Sequence, residues 1–183
     1  TANGFDYNRL FIILAILEKR CGLFYGTLDV YLNVVGGFRL DEPSGDLAVA
    51  LCLYSSLTDK SISEHVTAFG ELGLGGEVRS ISNLTQRILE AERMGFQTCI
   101  IPKQSMRGLQ SSNFQIQLVG VRTLKEAFDF FRTATSIKIK KSPIPTGVQE
   151  WGILFLENVF VENPDGITFI GLFFMRECEN GTG

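Results

Sequence analysis

At 183 residues and 45% hydrophobic, the chain is long and apolar enough to bury a full core as one globular domain. Its net charge of −3 excludes a uniformly basic coat for nucleic acid, so any contact with a polyanion has to be a local patch. The cysteines Cys21, Cys52, Cys99 and Cys178 are far apart, form no Cys-x-x-Cys pair and lie in or beside apolar runs. That pattern argues against zinc and for reduced, buried thiols in a cytosol-like compartment.

No secretory signal heads the chain, and the apolar run Leu10 to Leu17 is about half of what a bilayer span needs. The sequence opens at Thr1 with no initiator Met, which reads as a piece of something longer.

Residues 7–20 have helical periodicity, with Leu10, Ile13, Leu14 and Leu17 on one face, while Phe11, Ile12 and Ile16 make the rest apolar too. Such a helix is expected to be buried on two sides, ending at a Gly22 C-cap. The run Val30 to Val35 reads as a strand that breaks at Gly36-Gly37. Glu42-Pro43-Ser44 then has the form of a helix start, which predicts a partly exposed Ser44 hydroxyl at the positive end of a helix. Leu47, Ala50, Leu51, Tyr54 and Leu57 stripe that second helix, and Ala48, Cys52 and Ser55 line a face of small residues.

Two strands are predicted next, Val66 to Leu72 and Glu77 to Ile81, joined by the turn Gly73-Leu74-Gly75-Gly76. Asn83 and Gln86 have capping-box spacing for a third helix that ends at Gly95. Thr98 to Ile101 reads as a buried strand stopped by Pro102, and Phe114 to Leu118 alternates as a half-exposed strand. Thr123-Leu124-Lys125-Glu126 is a capping box opening a fourth helix through about Arg132. Helices covering a sheet give a two-layer α/β (α+β) domain over residues 1–132.

After Thr133 the composition shifts: the run Lys138-Ile139-Lys140-Lys141, then Pro143 and Pro145, then two apolar stretches, Gly152 to Val161 and Ile167 to Met175. The turn signal Asn163-Pro164-Asp165-Gly166 between those stretches predicts a β-hairpin. Residues 1–132 are expected to fold without this 133–183 extension.

From Gly4 to about Phe131 the chain carries ordered motifs: Asp6-Tyr7-Asn8-Arg9-Leu10, Leu17-Glu18-Lys19-Arg20, Asp29 to Gly37, Asp46 to Leu51, Phe69 to Leu74, Gly76-Glu77-Val78-Arg79 and Gly120 to Leu124. In these it resembles the C-terminal Lon-protease-like domain of the RadA/Sms DNA-repair family. The resemblance implies the Lon-like, ribosomal protein S5 domain 2-like fold with a β-hairpin extension at the C-terminus. It also implies a scaffold and DNA-contacting role in recombinational repair and processing of branched DNA.

The partners the family implies are single-stranded or branched DNA, further copies of the chain in a ring and a RecA-type recombinase, with no membrane. The setting it implies is the bacterial cytoplasm at the nucleoid, or an organelle (chloroplast or mitochondrion) in a eukaryote. ATP, Mg and Zn belong to upstream ATPase and zinc-finger parts of that family, whose Walker loop and cysteines are not in this sequence, so no cofactor is expected here. The family pattern does not extend over residues 133–183.

Lon-type peptidases place a nucleophilic Ser in a Gly-Pro-Ser-Ala-Gly turn and a Lys on a later helix. Here the turn reads Glu42-Pro43-Ser44-Gly45-Asp46, and aligning on Val78 to Gly95 puts Thr85 where the Lys would stand. Thr cannot act as the base, Arg87 is too basic to accept a proton, and Lys60 and Lys103 lie elsewhere in the family pattern. Ser44 is therefore read as a structural helix cap, with a Ser44 peptidase and a pure oligomerisation module as the alternatives.

His65, the sole histidine, reads as a solvated loop residue. Asp41, Glu42 and Asp46 read as acids favoured at a helix N-terminus rather than as a cation site. For phosphate contacts the candidates are Lys19, Arg20, Lys60, Arg39, Lys103 and Arg107, with the Lys138-Lys140-Lys141 run behind them.

Overall fold

The computed structural model describes residues 1–34, 39–58, 60, 62–63, 65–109, 113–134, 153–163 and 166–175, the last two ranges as backbone. In chain order the elements are β1 (Ala2–Asn3), α1 (Tyr7–Cys21), β2 (Asp29–Asn33), a 3-10 turn (Pro43–Gly45) and α2 (Asp46–Thr58). There follow β3 (Val66–Ala68), β4 (Glu71–Leu72), β5 (Val78–Arg79), α3 (Leu84–Arg93), β6 (Thr98–Pro102) and a 3-10 segment (Lys103–Leu109). The chain continues through β7 (Gln117–Val121), α4 (Leu124–Ala134), β8 (Ile153–Asn163) and β9 (Gly166–Met175).

These strands form a parallel sheet ordered β3-β6-β7, a β4-β5 hairpin, and a mixed sheet ordered β1-β2-β8-β9. The architecture is α/β. The Gly36-Gly37 break, the lysine run 138–141, Pro143, Pro145 and Cys178 lie outside the described residues.

Helix α1 begins and ends where its sequence dictates. The Asp6 carboxylate accepts the Arg9 N–H at 2.7 Å, and Gly22, at φ 71°, returns its N–H to the Glu18 carbonyl. Leu10, Ile13, Ile16 and Leu17 are buried, but Tyr7 and Phe11 are each 54% exposed and Ile12 is exposed beside them. Burial on two sides is thus corrected for α1; all-round burial belongs to α2, where every residue from Asp46 to Ser56 is buried. The small side chains Ala48, Ala50, Cys52, Ser55 and Ser56 let neighbouring elements approach α2 from each direction. The Tyr54 ring stacks on Phe128 of α4 at 4.0 Å between centroids.

The single predicted strand Val66 to Leu72 is two strands in two sheets. Gly70 is the break: its N–H goes to the Ser44 carbonyl at 2.9 Å and its carbonyl takes the Leu47 N–H at 3.0 Å. The chain leaves the β3 ladder there to grip the start of α2. A Cβ on Gly70 would lie 2.7 Å from Val78 Cγ1, in a region where Val78 and Leu47 are buried. Gly70→Ala is expected to lower the unfolding free energy by about 1–3 kcal/mol, read from urea denaturation, because a β-branched core neighbour has little room to yield.

The strand expected at Phe114 to Leu118 starts later, at Gln117, because the Glu92 carboxylate captures the Gln115 and Ile116 N–H groups (2.6 and 3.0 Å) and holds them out of the ladder. The turn after β4 is the hairpin that the glycines predicted.

At α4, Thr123 Oγ1 accepts the Glu126 N–H, and Glu126 reaches back to the N–H of Arg122, one residue earlier than a capping box requires. At α3, Asn83 stands at the N-cap in a left-handed conformation (φ 53°) and its side chain makes no cap bond, which corrects the capping reading there.

The two apolar tail runs pair as an antiparallel hairpin, Ile153↔Met175 to Asn163↔Gly166, with the register shifting between Leu156 and Val159. Its first strand adds antiparallel to β2, Asp29↔Glu162 to Leu32↔Val159, and both tail strands lie against α2. Among the described residues, no helix is long and apolar enough to cross a membrane.

Candidate functional site

Ser44 lies inside the 3-10 turn, with Pro43 at the first helical position as expected. It is buried, and its hydroxyl donates to Glu42 Oε2 at 3.2 Å. Both expectations for this side chain are corrected: it is not partly exposed, and it acts as a donor to a carboxylate rather than as a cap acceptor. The same Glu42 oxygen receives an ion pair from Arg87, whose side chain is only 5% exposed on the inner face of α3.

The cluster Ser44–Glu42–Arg87 therefore joins the α2 entrance to α3. A guanidinium offers donors only, so it cannot take the hydroxyl proton, and it occupies the one carboxylate oxygen to which Ser44 points. Among the described residues, no lysine forms an ion pair with Glu42.

Thr85, in the position where a dyad lysine would stand, is exposed on the first turn of α3. It lines a cleft of about 680 Å³ together with Ile81, Asn83, Gln86, Leu89 and Ser105, and Ser44 does not line that cleft. The arrangement holds the start of α2 in place.

The acids near the turn have separate fates. Asp46 is fully buried at the first residue of α2 and takes a two-point ion pair from Arg9 of α1 and the Leu72 N–H at 3.0 Å. Burial pushes its carboxyl up from the ordinary range, with the Arg9 hydrogen bond and the Leu72 N–H opposing that shift. Its role is to tie α1, α2 and β4 together, which goes beyond the helix-dipole effect read from sequence. Asp41 is exposed and pairs with Arg39 at 3.4 Å. Among the described residues, no group of three or more His, Cys, Asp or Glu side chains could hold a metal ion.

His65 is buried at the entry to β3, and its carbonyl accepts N–H groups from Gln97 and Thr98 (2.9 and 3.1 Å), so the solvated-loop reading is corrected. Cys52 and Cys99 are free and buried, and burial pushes both thiols up, which keeps them protonated.

The cationic candidates come from separate segments. Lys19 and Arg20 are exposed in the last turn of α1, and Arg20 Nε donates to the Leu74 carbonyl at 3.2 Å. Lys60 is exposed just after α2, with its backbone fixed by Ser55. Lys103 and Arg107 are exposed on the 3-10 segment that follows β6. Arg39 spends its charge locally on Asp41. Sequence reasoning missed Arg9 and Arg87 as paired cations, since their partners lie 37 and 45 residues away in the chain.

A family model for the Lon protease (S16) C-terminal proteolytic domain matches residues 19–126. The chain is 44% identical over 126 residues to the DNA repair protein RadA of Streptococcus pneumoniae, covering 69% of this chain and 30% of that protein. It is 41% identical over 128 residues to the DNA repair protein RadA of Halalkalibacterium halodurans, covering 70% and 28%. For the protein of the same name from Listeria monocytogenes it is 44% identical over 126 residues, covering 69% and 27%. The chain thus spans less than a third of the length of these curated relatives. It belongs to the Lon protease (S16) C-terminal proteolytic domain family and is a Lon-like domain of the RadA type.

Proposed function

We propose that this chain is the non-proteolytic scaffold and DNA-contacting part of a RadA-type DNA-repair protein, acting in recombinational repair and the processing of branched DNA. The observation that carries the non-proteolytic reading is the buried Ser44 hydroxyl, donated to a carboxylate that Arg87 already neutralises. Support for the repair role comes from the relatives named DNA repair protein RadA.

The scaffold works as one of several copies in a ring, and exposed Lys19 and Arg20 contact single-stranded or branched DNA through its phosphates. ATP, Mg and Zn serve other parts of the longer protein, and a RecA-type recombinase is its partner at the nucleoid.

With a fluorophosphonate probe and unfolded casein, the chain is expected to show no Ser44 labelling and no cleavage. Labelling that disappears in Ser44→Ala would establish the peptidase reading instead. Reversing Lys19 and Arg20 to Glu is expected to weaken single-stranded DNA binding at low salt and to flatten its salt dependence, because each lost phosphate contact removes about 0.7 from the slope. Unchanged affinity across a salt titration would leave the domain as an assembly module only.

A further inference from the structure

The end of α1 and the start of α4 are separate in sequence but meet in the fold. At Gly76 the chain turns with φ +83°, and a Cβ there would lie 3.2 Å from Arg20 Cβ, so the α1 terminus rests directly on this turn. The Gly76 carbonyl accepts the Leu124 N–H at 3.0 Å, which fixes the first residue of α4 against the same turn. Lys125, in the first turn of α4, is therefore held against the same turn as the end of α1. Its charge also acts on Cys21, the last residue of α1, opposing the burial that raises that thiol.

Arg122 precedes the helix and Lys125 sits in its first turn; both are exposed, as are Lys19 and Arg20. The acids Glu18, Glu77 and Glu126 flank these cations, and each has a partner, Glu77 through its ion pair with Arg79. Glu18 Oε1 accepts the Tyr25 N–H at 2.8 Å, and Glu126 Oε2 accepts the Arg122 N–H at 2.8 Å, with the Arg122 guanidinium at 4.0 Å. No ion pair with a described residue holds Lys19, Arg20 or Lys125.

We infer that Arg122 and Lys125 complete a composite phosphate-binding patch with Lys19 and Arg20, a surface for successive phosphates of one nucleic-acid strand. This rests on the DNA-contacting role proposed above and adds two residues and a second element to it. Three of the four cations stand at ends of helices that a single glycine turn pins together, so their spacing is fixed before a ligand arrives, and little ordering entropy opposes binding. Its four side chains are cations suited to phosphate oxygens, so it reads the backbone rather than the sequence.

The test uses the 183-residue chain, a fluorescein-labelled single-stranded oligonucleotide and anisotropy across a salt series. Arg122→Gln with Lys125→Gln is expected to weaken binding about tenfold at low salt and to reduce the salt slope by about 1.4, two phosphate contacts at about 0.7 each. Arg132→Gln, at the far end of α4, controls for overall charge and should change affinity less than twofold; circular dichroism checks that all variants keep the fold. A double variant that binds as the parent does, while Lys19→Glu with Arg20→Glu still weakens binding, overturns the composite patch and leaves the DNA-contacting role standing. Equal losses in the double variant and in Arg132→Gln would reduce the effect to net charge and also overturn it. No binding by the unaltered chain removes both.

Discussion

Deletion of residues 133–183 is expected to abolish the cooperative thermal transition of the chain. By composition alone, residues 1–132 read as a self-contained domain, and the parallel sheet and all but the last two residues of α4 do fall within them. But β8 forms a four-residue ladder with β2, and both tail strands cover α2. Without the hairpin, β2 keeps only the two-residue β1 as a partner, and the N–H and C=O groups of its other edge open to water.

The larger effect is on α2, a helix buried on every side from Asp46 to Ser56 and rich in Leu, Val and Ala. Exposing two leucine-sized side chains costs about 3–6 kcal/mol, against a total stability of about 5–15 kcal/mol for an ordinary domain. Far- and near-UV circular dichroism of residues 1–132 should show residual helix with no sharp melting. A transition as sharp as the parent's, at a similar temperature, would show that the hairpin is dispensable.

What the sequence made legible was local, and what it hid was long-range. The body and end of α1 follow from a 3.6-residue apolar period and Gly22, both within one stretch of chain. The β4-β5 turn and the start of α4 follow equally from neighbouring residues. The split at Gly70 was hidden, because the groups that draw its backbone out of the ladder, Ser44 and Leu47, are more than twenty residues upstream. The same holds for the late start of β7, set by Glu92, and for the burial of His65.

Ser44 shows the limit most clearly. Its turn was readable and so was the absence of a dyad lysine, but the carboxylate it points to takes its counter-charge from Arg87 of α3, which only the fold brings near. An apolar period also cannot say which of two helices is central. Small residues on α2 and exposed rings on α1 decide that in three dimensions.

Arg9→Ala is expected to destabilise the chain by about 3 kcal/mol at neutral pH, with the deficit shrinking as the pH falls. Asp46 is fully buried, and Arg9 is the cation paired with it, so removing the guanidinium leaves a buried carboxylate supported, among the described residues, by the Leu72 N–H. Breaking a buried pair from one side costs about 3–5 kcal/mol; the lower figure applies because Arg9 is itself partly exposed, at 27%. For a chain of this size that corresponds to a fall of roughly 6–12 °C in melting temperature.

The sign of the pH dependence follows from linkage. Burial already raises the Asp46 carboxyl above its unfolded value, and loss of Arg9 removes the strongest opposing interaction and raises it further. The folded variant therefore holds its proton over a pH range in which the unfolded chain has lost it. Stability relative to the parent is greatest below the unfolded pKa and declines as the pH rises through the raised folded value.

Asp46→Asn in the Arg9→Ala background removes the buried charge and should recover part of the loss at neutral pH, with little further change on acidification. Urea denaturation of the parent and both variants across an acid-to-neutral pH series measures all three curves. A deficit in Arg9→Ala that is independent of pH would show that Arg9 acts through packing of its aliphatic stem and not through Asp46.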